Sequence, residues 1–417
     1  MEYGCIGEHL PHSFSKEIHE RIEDYDYRLV ELSPDAVDAF MKQKDFKAIN
    51  VTIPYKQTVI PYLDEISDTA RAIGAVNTVV NRNGKLYGYN TDFGGMRALI
   101  ARMGLSFDGK KVVILGTGGT SKTAKAVAES LGAREVYKAS RTGKAGALSY
   151  EDIYRYHSNA DFMINTTPCG MFPKEDETPI DLDRFSGLQG VIDAIYNPLS
   201  TRLILKARQR GIPAEGGLYM LVAQAVLAAE HFTGKTYEAG LIDRIYQDIL
   251  GRKQNIVLVG MPCCGKSTIG KMLAEELGYA WADTDALVVE KTGMEIPEIF
   301  AQYGEDHFRD LECQVMSELS AKTGYVIATG GGSILREENI ELLHRNGRIY
   351  FVDRPLEQLI PTMDRPLANS EEKVRRIYGE RYERYCGVAD VVVSSKGDAG
   401  KVAAKIKALH FHGRGRD

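Results

Sequence analysis

The sequence predicts an α/β protein built on parallel sheets, and three observations carry that expectation. Residues 110–132, "KKVVILGTGGTSKTAKAVAESLG", run from an apolar strand through a glycine turn into an amphipathic helix. Residues 254–278, "QNIVLVGMPCCGKSTIGKMLAEELG", repeat the same grammar. Each is the opening of a parallel strand–helix unit. Gly116 and Gly260 lie 144 positions apart, which suits two separate sheets better than one. At 417 residues the chain is also too long for one ordinary core.

Ahead of the first glycine turn, residues 1–100 mix short strands and helices and are expected to form a lobe of their own. Residues 101–219 then form a second lobe around the 110–132 unit. The stretch "GLYMLVAQAVLAAEHFTG" (217–234) reads as an apolar helix and "EAGLIDRIYQDILGRKQ" (238–254) as an amphipathic one. These helices, at about 220–250, are expected to complete the first lobe. The short basic "GRKQ" is the best boundary, so a domain break is expected near residue 253. Residues 254–417 would form the next domain, with a loose end at "HFHGRGRD".

A net charge of −5 argues against a dedicated nucleic-acid binder, while leaving room for small anions held by local basic groups. The opening "MEYGCIGEHLPHS" lacks a basic start followed by an apolar run, so no signal peptide is expected. No run of eighteen apolar residues occurs, so no membrane span is expected either. The six cysteines show no C-x-x-C or metal-ligand spacing, which points to a reducing, cytoplasmic compartment. Cys263 and Cys264 read as loop filling.

In the first half, Gly116, Gly118 and Gly119 let the backbone approach a pyrophosphate at a helix N-terminus. The next strand ends in Ser140-Arg141-Thr142 with Lys144 close by, where a sheet that binds NAD usually carries an acidic residue. A guanidinium there suits a 2′-phosphate, so NADP is favoured over NAD. The segments "INVTIPYK" (49–56), "IGAVNT" (73–78) and "GYNTDFGG" (88–95) place polar groups at strand ends beside glycines. That fits a small, hydroxyl-rich, anionic ligand. Asp92 can fix the Lys56 ammonium while Lys56 donates a proton.

These stretches, with "HSFS", "GTGG", "SRT", "NTTPCGM" and "GGLYMLVAQA", occur in the order found in shikimate dehydrogenases. The first 250 residues resemble that family along their whole length. The resemblance implies a two-lobed unit with a Rossmann-type NADP lobe that reduces 3-dehydroshikimate to shikimate with NADPH. It makes Lys56 and Asp92 the catalytic pair, and implies substrate contacts from Ser13, Ser15, Thr52, Asn77, Tyr196 and Gln224. Gly116, Thr117, Gly118, Gly119 and Thr120 would hold the dinucleotide. Ser140, Arg141, Thr142 and Lys144 would hold it too, with Ala194 and Gly217 near the nicotinamide. The chain departs from the family where Lys16 replaces a frequent proline, Glu20 a frequent asparagine and Ser140 another asparagine. A quinate-tolerant dehydrogenase is the alternative within the same fold.

In the second half, "GMPCCGKS" satisfies G-x-x-x-x-G-K-[ST] between an apolar strand and a helix. Backbone amides would cradle phosphates, with Lys266 on the transferred group and Ser267 on Mg²⁺. "WADTDAL" places Asp283 and Asp285 at an expected strand end, one for the magnesium shell and one for an acceptor hydroxyl. "HFRDLE" supplies Arg309, and "VIATGGGS" is a buried strand ending in three glycines. Arginine beside exposed glycine amides makes a corner that binds a carboxylate. Arg365 and Arg381 follow in "MDRPLA" and "ERYERYCGVAD".

Residues 254–395 resemble shikimate kinase through the P-loop, "DTD", "FRDLE", "TGGG", "DRPL" and "RYERY…VAD". The resemblance implies a P-loop kinase domain with a parallel sheet. It assigns Cys263, Cys264, Gly265, Lys266, Ser267, Thr268 and the lid residue Arg365 to ATP, and Ser267 and Asp283 to Mg²⁺. Shikimate would meet Asp285, Arg309, Gly330, Gly331, Gly332 and Arg381, with Asp285 and Lys266 in the chemistry. Arg384 competes with Arg381 for its role. The pair Cys263-Cys264 and Glu383 stand where the family favours small residues and proline. Taken together, the two halves imply a bifunctional enzyme of aromatic amino acid biosynthesis whose partners are small molecules.

Overall fold

The structure, a computed structural model, describes residues 1–10, 13–143, 146–360 and 370–412. Lys144 and Arg365 lie outside the described residues. The chain divides into two compact units, Met1–Ile249 and Leu250–Asp417.

The first unit holds two sheets. One is built from β1 (Tyr3–Gly7), β2 (Tyr27–Glu31), β3 (Ala48–Val51), β4 (Glu65–Ile66), β5 (Thr78–Arg82) and β6 (Lys85–Tyr89), in the order 2-1-3-5-6-4. Strand β3 runs parallel to β1 and antiparallel to β5, so the sheet is mixed. The other comprises β7 (Lys111–Leu115), β8 (Glu135–Ser140), β9 (Leu148–Ser149), β10 (Phe162–Asn165), β11 (Gly190–Asp193) and β12 (Ala214–Glu215). Its order, 12-11-10-7-8-9, is all parallel. Read from β9 this is 3-2-1-4-5-6, a doubly wound sheet whose order reverses between β7 and β10. Every residue of β7, β10 and β11 is buried, as a parallel strand covered on both faces requires.

Helix Leu218–Thr233 returns from the second sheet to the first lobe. It crosses helix Thr91–Arg102 at Gly95, where a Cβ would lie 2.7 Å from the Met220 carbonyl oxygen. Only glycine permits that approach, and it brings Gln224 beside Thr91.

Helix Leu241–Lys253 ends at the residue near which the break is expected. The basic "GRK" forms its last turn, and the two compact units part between Ile249 and Leu250. Ile245, Tyr246, Ile249 and Leu250 are all buried, so the apolar stripe of this helix stops just short of the expected boundary. Arg252 and Lys253 suit the negative end of a helix, which explains basic residues there without a linker.

The second unit is a five-stranded parallel sheet of β13 (Asn255–Val259), β14 (Ala280–Asp283), β15 (Tyr325–Ala328), β16 (Gly347–Asp353) and β17 (Val391–Ser394), in the order 14-15-13-16-17. Central β13 is wholly buried, and helix Lys266–Leu277 follows it. The long helix Ile296–Ser320 breaks at Gly304, whose φ of 84° and ψ of 173° lie far from helical values. Among the described residues no helix is long and apolar enough to cross a membrane.

Candidate active sites

In the first unit Lys56 follows β3 and Asp92 lies in the first turn of helix Thr91–Arg102, capped by the Asn90 side chain. Lys56 Nζ donates to Asp92 Oδ2 at 2.6 Å, with the side chains 15% and 9% exposed. Beside them runs a buried polar chain. Asn77 Nδ2 donates to Thr91 Oγ1 at 3.0 Å and to Gln224 Oε1 at 3.4 Å. Asn77 Oδ1 accepts from the Thr91 amide at 2.7 Å, which fixes the amide orientation. Behind it, Asn50 Nδ2 donates to Thr78 Oγ1 while its Oδ1 accepts from Tyr27. Residues far apart in sequence are thus locked into one hydrogen-bonded set, whose members each depend on the others.

Ser13 and Ser15 meet at the start of helix Ser15–Ile22, the Ser15 amide donating to Ser13 Oγ at 3.3 Å. Lys16 and Glu20 form a half-exposed ion pair of 3.1 Å on that helix. The Phe14 ring lies 5.2 Å from that of Tyr196. Burial, then the nearby Cys5, pushes the Tyr196 phenol up to about 12, so it stays a donor at neutral pH. Thr52 sits against Gly7, where a Cβ would lie 2.7 Å from Thr52 Cγ2.

The glycine turn Gly116–Gly119 leaves β7 at the switch between β7 and β10. Gly116 has a φ of 116°, and a Cβ there would meet Thr166 Oγ1 at 2.6 Å. A Cβ on Gly118 would find no atom within 4 Å, so this face of the turn is open to a ligand. A Cβ on Gly119 would lie 3.7 Å from Lys56 Cβ and Cδ. The dinucleotide turn therefore abuts the lysine. At the end of β8, Ser140 Oγ is buried with no hydrogen-bond partner, and Arg141 and Thr142 beside it are exposed. An orphaned hydroxyl next to an exposed guanidinium fits a phosphate.

Ala194 and Tyr196 follow β11 on a segment anchored by a residue the sequence reading did not single out. Asp193 is fully buried and accepts from Asn165 Nδ2 (3.0 Å), the Ile195 amide (3.0 Å) and Thr201 Oγ1 (2.7 Å). Burial pushes its carboxyl up to about 6 despite those bonds. A Cβ on Gly217 would run into the Ala194 carbonyl, which holds the helix start against this segment.

In the second unit, Lys266 is buried and folds back onto the loop, donating to the carbonyls of Gly260 (2.8 Å) and Met261 (3.0 Å). Ser267 Oγ donates to Asp283 Oδ2 at 2.8 Å. Asp283, the last residue of β14, also caps helix Thr284–Thr292. A pocket of about 650 Å³ runs from this loop past Asp285, Arg309 and Gly330–Gly332 to Arg381.

Each glycine of that triplet is met by a different pocket residue. A Cβ on Gly330 would lie 2.5 Å from Asp285 Oδ1, and on Gly331 3.0 Å from Pro262. On Gly332 it would fall on the Arg309 guanidinium. Arg309, only 8% exposed in its side chain, donates to Glu312 at 3.1 Å and Glu305 at 2.8 Å. Glu312 is fully buried and also takes the Ser333 hydroxyl. Arg381 NH1 donates to the Gly331 carbonyl at 3.0 Å, joined there by the Tyr385 hydroxyl. Arg384 instead donates to the carbonyl of Ile334 and to Glu337 at 2.7 Å, away from the pocket. That leaves Arg381 as the pocket arginine. Glu305, Glu312 and Tyr385 were not anticipated; the i,i+3 spacing of Glu312 in "FRDLE" was the available signal for one of them.

A shikimate dehydrogenase (NADP(+)) from Clostridium beijerinckii is 38% identical over 246 residues, 55% of this chain and 90% of that protein. The chain belongs to the shikimate dehydrogenase family. Residues 5–79 match the model of the shikimate dehydrogenase substrate binding domain. Shikimate dehydrogenase 1 from Peptoclostridium difficile is 34% identical with a TM-score of 0.56, covering 60% of this chain and 98% of that one. The enzyme from Thermus thermophilus, solved in complex with NADP(H) and shikimate, is 25% identical with a TM-score of 0.54 over 60% of this chain and 99% of that one. Residues 262–410 match the model described as shikimate kinase. This shikimate dehydrogenase thus carries a shikimate kinase domain behind it, and the chain is a bifunctional shikimate-pathway enzyme.

Proposed function

We propose that the first unit reduces 3-dehydroshikimate to shikimate with NADPH, and that the second phosphorylates the 3-hydroxyl of shikimate with Mg-ATP. The observation that carries the reading is the abutment of the dinucleotide turn and the Lys56–Asp92 pair at Gly119. NADPH supplies the hydride. Lys56 gives a proton to the ketone oxygen as the alcohol forms, and Asp92 holds the ammonium in place. Ser13, Ser15, Thr52, Asn77, Tyr196 and Gln224 surround the substrate's hydroxyls and carboxylate. Gly116 to Thr120 take the pyrophosphate, Ser140 to Thr142 with Lys144 the 2′-phosphate, and Ala194 and Gly217 the nicotinamide side.

In the second unit ATP supplies the phosphoryl group. The loop from Cys263 to Thr268 cradles its phosphates, Lys266 neutralises the transferred charge and Arg365 covers it. Asp285 takes the proton of the 3-hydroxyl. Arg309, Arg381 and the amides of Gly330–Gly332 bind the substrate carboxylate. Ser267 and Asp283, adjacent hard oxygen donors, would hold Mg²⁺. Among the described residues no cluster of three or more His, Cys, Asp or Glu gathers for a metal. That supports an ion completed by phosphates and water, as Mg²⁺ prefers. All six cysteines are thiols, the state of a reducing cytoplasm, where we place the enzyme.

The test gives the intact chain 3-dehydroshikimate, NADPH and Mg-ATP, and follows NADPH loss and ADP formation. Shikimate 3-phosphate is expected only when both cosubstrates are present. NADPH consumption without any ADP, or the reverse with added shikimate, would remove one half of the reading.

A further inference from the structure

Arg309 has its two terminal nitrogens engaged by two carboxylates of unequal freedom. Glu312 is fully buried and held again by Ser333, so it is a fixed partner. Glu305 bonds the other nitrogen at 2.8 Å but is 46% exposed in its side chain. It follows directly on Gly304, where the long helix breaks, so it opens a new helical segment. Asp310 on the same segment does not compete, since Arg336 takes it at 2.7 Å. The charged groups lining the pocket are Lys266, Arg309 and Arg381 against Asp283, Asp285, Glu295 and Glu312, and Glu305 reaches it through its ion pair with Arg309. An incoming carboxylate meets a guanidinium already neutralised by its own neighbours.

We propose that Glu305 is an internal stand-in for the substrate's carboxylate: it occupies Arg309 NH2 and must turn to solvent before the substrate anion is bound. The inference rests on the reading that Arg309 binds that carboxylate. A half-exposed side chain can leave with little loss of packing, whereas buried Glu312 cannot. Glu305 thereby sets substrate affinity downward and makes the site selective for ligands whose anion outcompetes a tethered one.

The test is the KM of the full chain's kinase reaction, run without NADP(H) so that the first unit's own site does not enter the readout, for shikimate and for its uncharged methyl ester, comparing wild type, Glu305→Gln and Arg309→Ala. Glu305→Gln keeps the shape and removes the charge. It is expected to tighten shikimate by about two- to fivefold, the range of one partly exposed ion pair, and to leave the methyl ester unchanged. The gain should shrink as salt is raised. Unchanged or weaker shikimate binding in Glu305→Gln, or equal tightening of the methyl ester, overturns the stand-in. If Arg309→Ala binds shikimate as wild type does, the assignment of Arg309 itself fails, and the stand-in with it.

Discussion

The Lys56 ammonium donates to Asp92 Oδ2 across 2.6 Å, and both side chains lie largely out of solvent at the edge of the dinucleotide turn. On the proposed reading the pair serves as an acid with its own orienter, which is what proton delivery to a developing alkoxide needs.

Lys56→Ala should accordingly lower the dehydrogenase kcat by about 10²- to 10⁴-fold, with NADPH affinity close to wild type. Kinase turnover of the same preparation serves as the internal control and should not change. Asp92→Asn retains an acceptor but not the charge, so its loss should be smaller. Dehydrogenase turnover near wild type in Lys56→Ala would remove Lys56 from the chemistry.

The glycine triplet makes a prediction for the other unit. Gly332→Ala puts a methyl group onto the Arg309 guanidinium, which is pinned by Glu312 and cannot swing aside freely. Shikimate KM in the kinase reaction should rise at least about tenfold, equivalent to ~1.4 kcal/mol. Dehydrogenase activity should be untouched. A Gly332→Ala enzyme with wild-type shikimate KM would show that the Arg309 fork is not held against this backbone.

Much of both sites was legible because phosphate cradles need local backbone chemistry. Glycines between a strand and a helix are written into consecutive residues, and Asp283 stands at a strand end as its neighbours imply. The kinase pocket's carboxylate partners were less legible. Glu305 and Glu312 sit at i,i+4 and i,i+3 spacing from Arg309, but that spacing does not say that the segment starts afresh at Gly304 or that its arginine enters a pocket. Likewise the set of Asn50, Asn77, Thr78, Thr91 and Gln224 joins β3, the start of β5 and two helices from distant parts of the first unit's sequence. No local spacing encodes that meeting. The choice between Arg381 and Arg384 was also tertiary, decided by whether the side chain reaches Gly331 or Glu337.

Asp193 gives a pH-dependent expectation for the first unit. Its folded carboxyl is pushed up to about 6 by burial, against an ordinary value of 3.8. The folded state therefore binds this proton more tightly than the unfolded state. Its effect is absent below about pH 4, destabilises increasingly as pH rises to about 6, and is constant above. Asp193→Asn can accept from Asn165 and Ile195 and donate to Thr201, so it keeps the anchor without the charge. The stability difference, variant minus wild type, should grow from pH 4 to 6 by at most ~3 kcal/mol. It is measured on the first unit by thermal loss of dehydrogenase activity. A difference independent of pH would mean that Asp193 titrates as an ordinary carboxylate.

Cys263 supplies the last expectation, because its φ of 66° lies in the left-handed region that favours glycine. Holding a non-glycine residue there costs about 1–2 kcal/mol. Glycine would relieve that, offset by about 0.5–1 kcal/mol from the freer unfolded chain. Cys263→Gly should thus stabilise the second unit by about 0–1.5 kcal/mol and preserve nucleotide binding. Trp281, the chain's single tryptophan, lies in β14, so its fluorescence reports this unit alone. Cys264 is different: it is fully buried, and a Cβ on Gly260 would lie 2.9 Å from its sulfur. Its sulfur also accepts from the Lys266 ammonium at 3.8 Å, so it belongs to the loop's polar contacts. If Cys263→Gly instead lowers stability or nucleotide affinity, contacts of the thiol outweigh the strain of its backbone, and the cysteine is part of the cradle and not its filling.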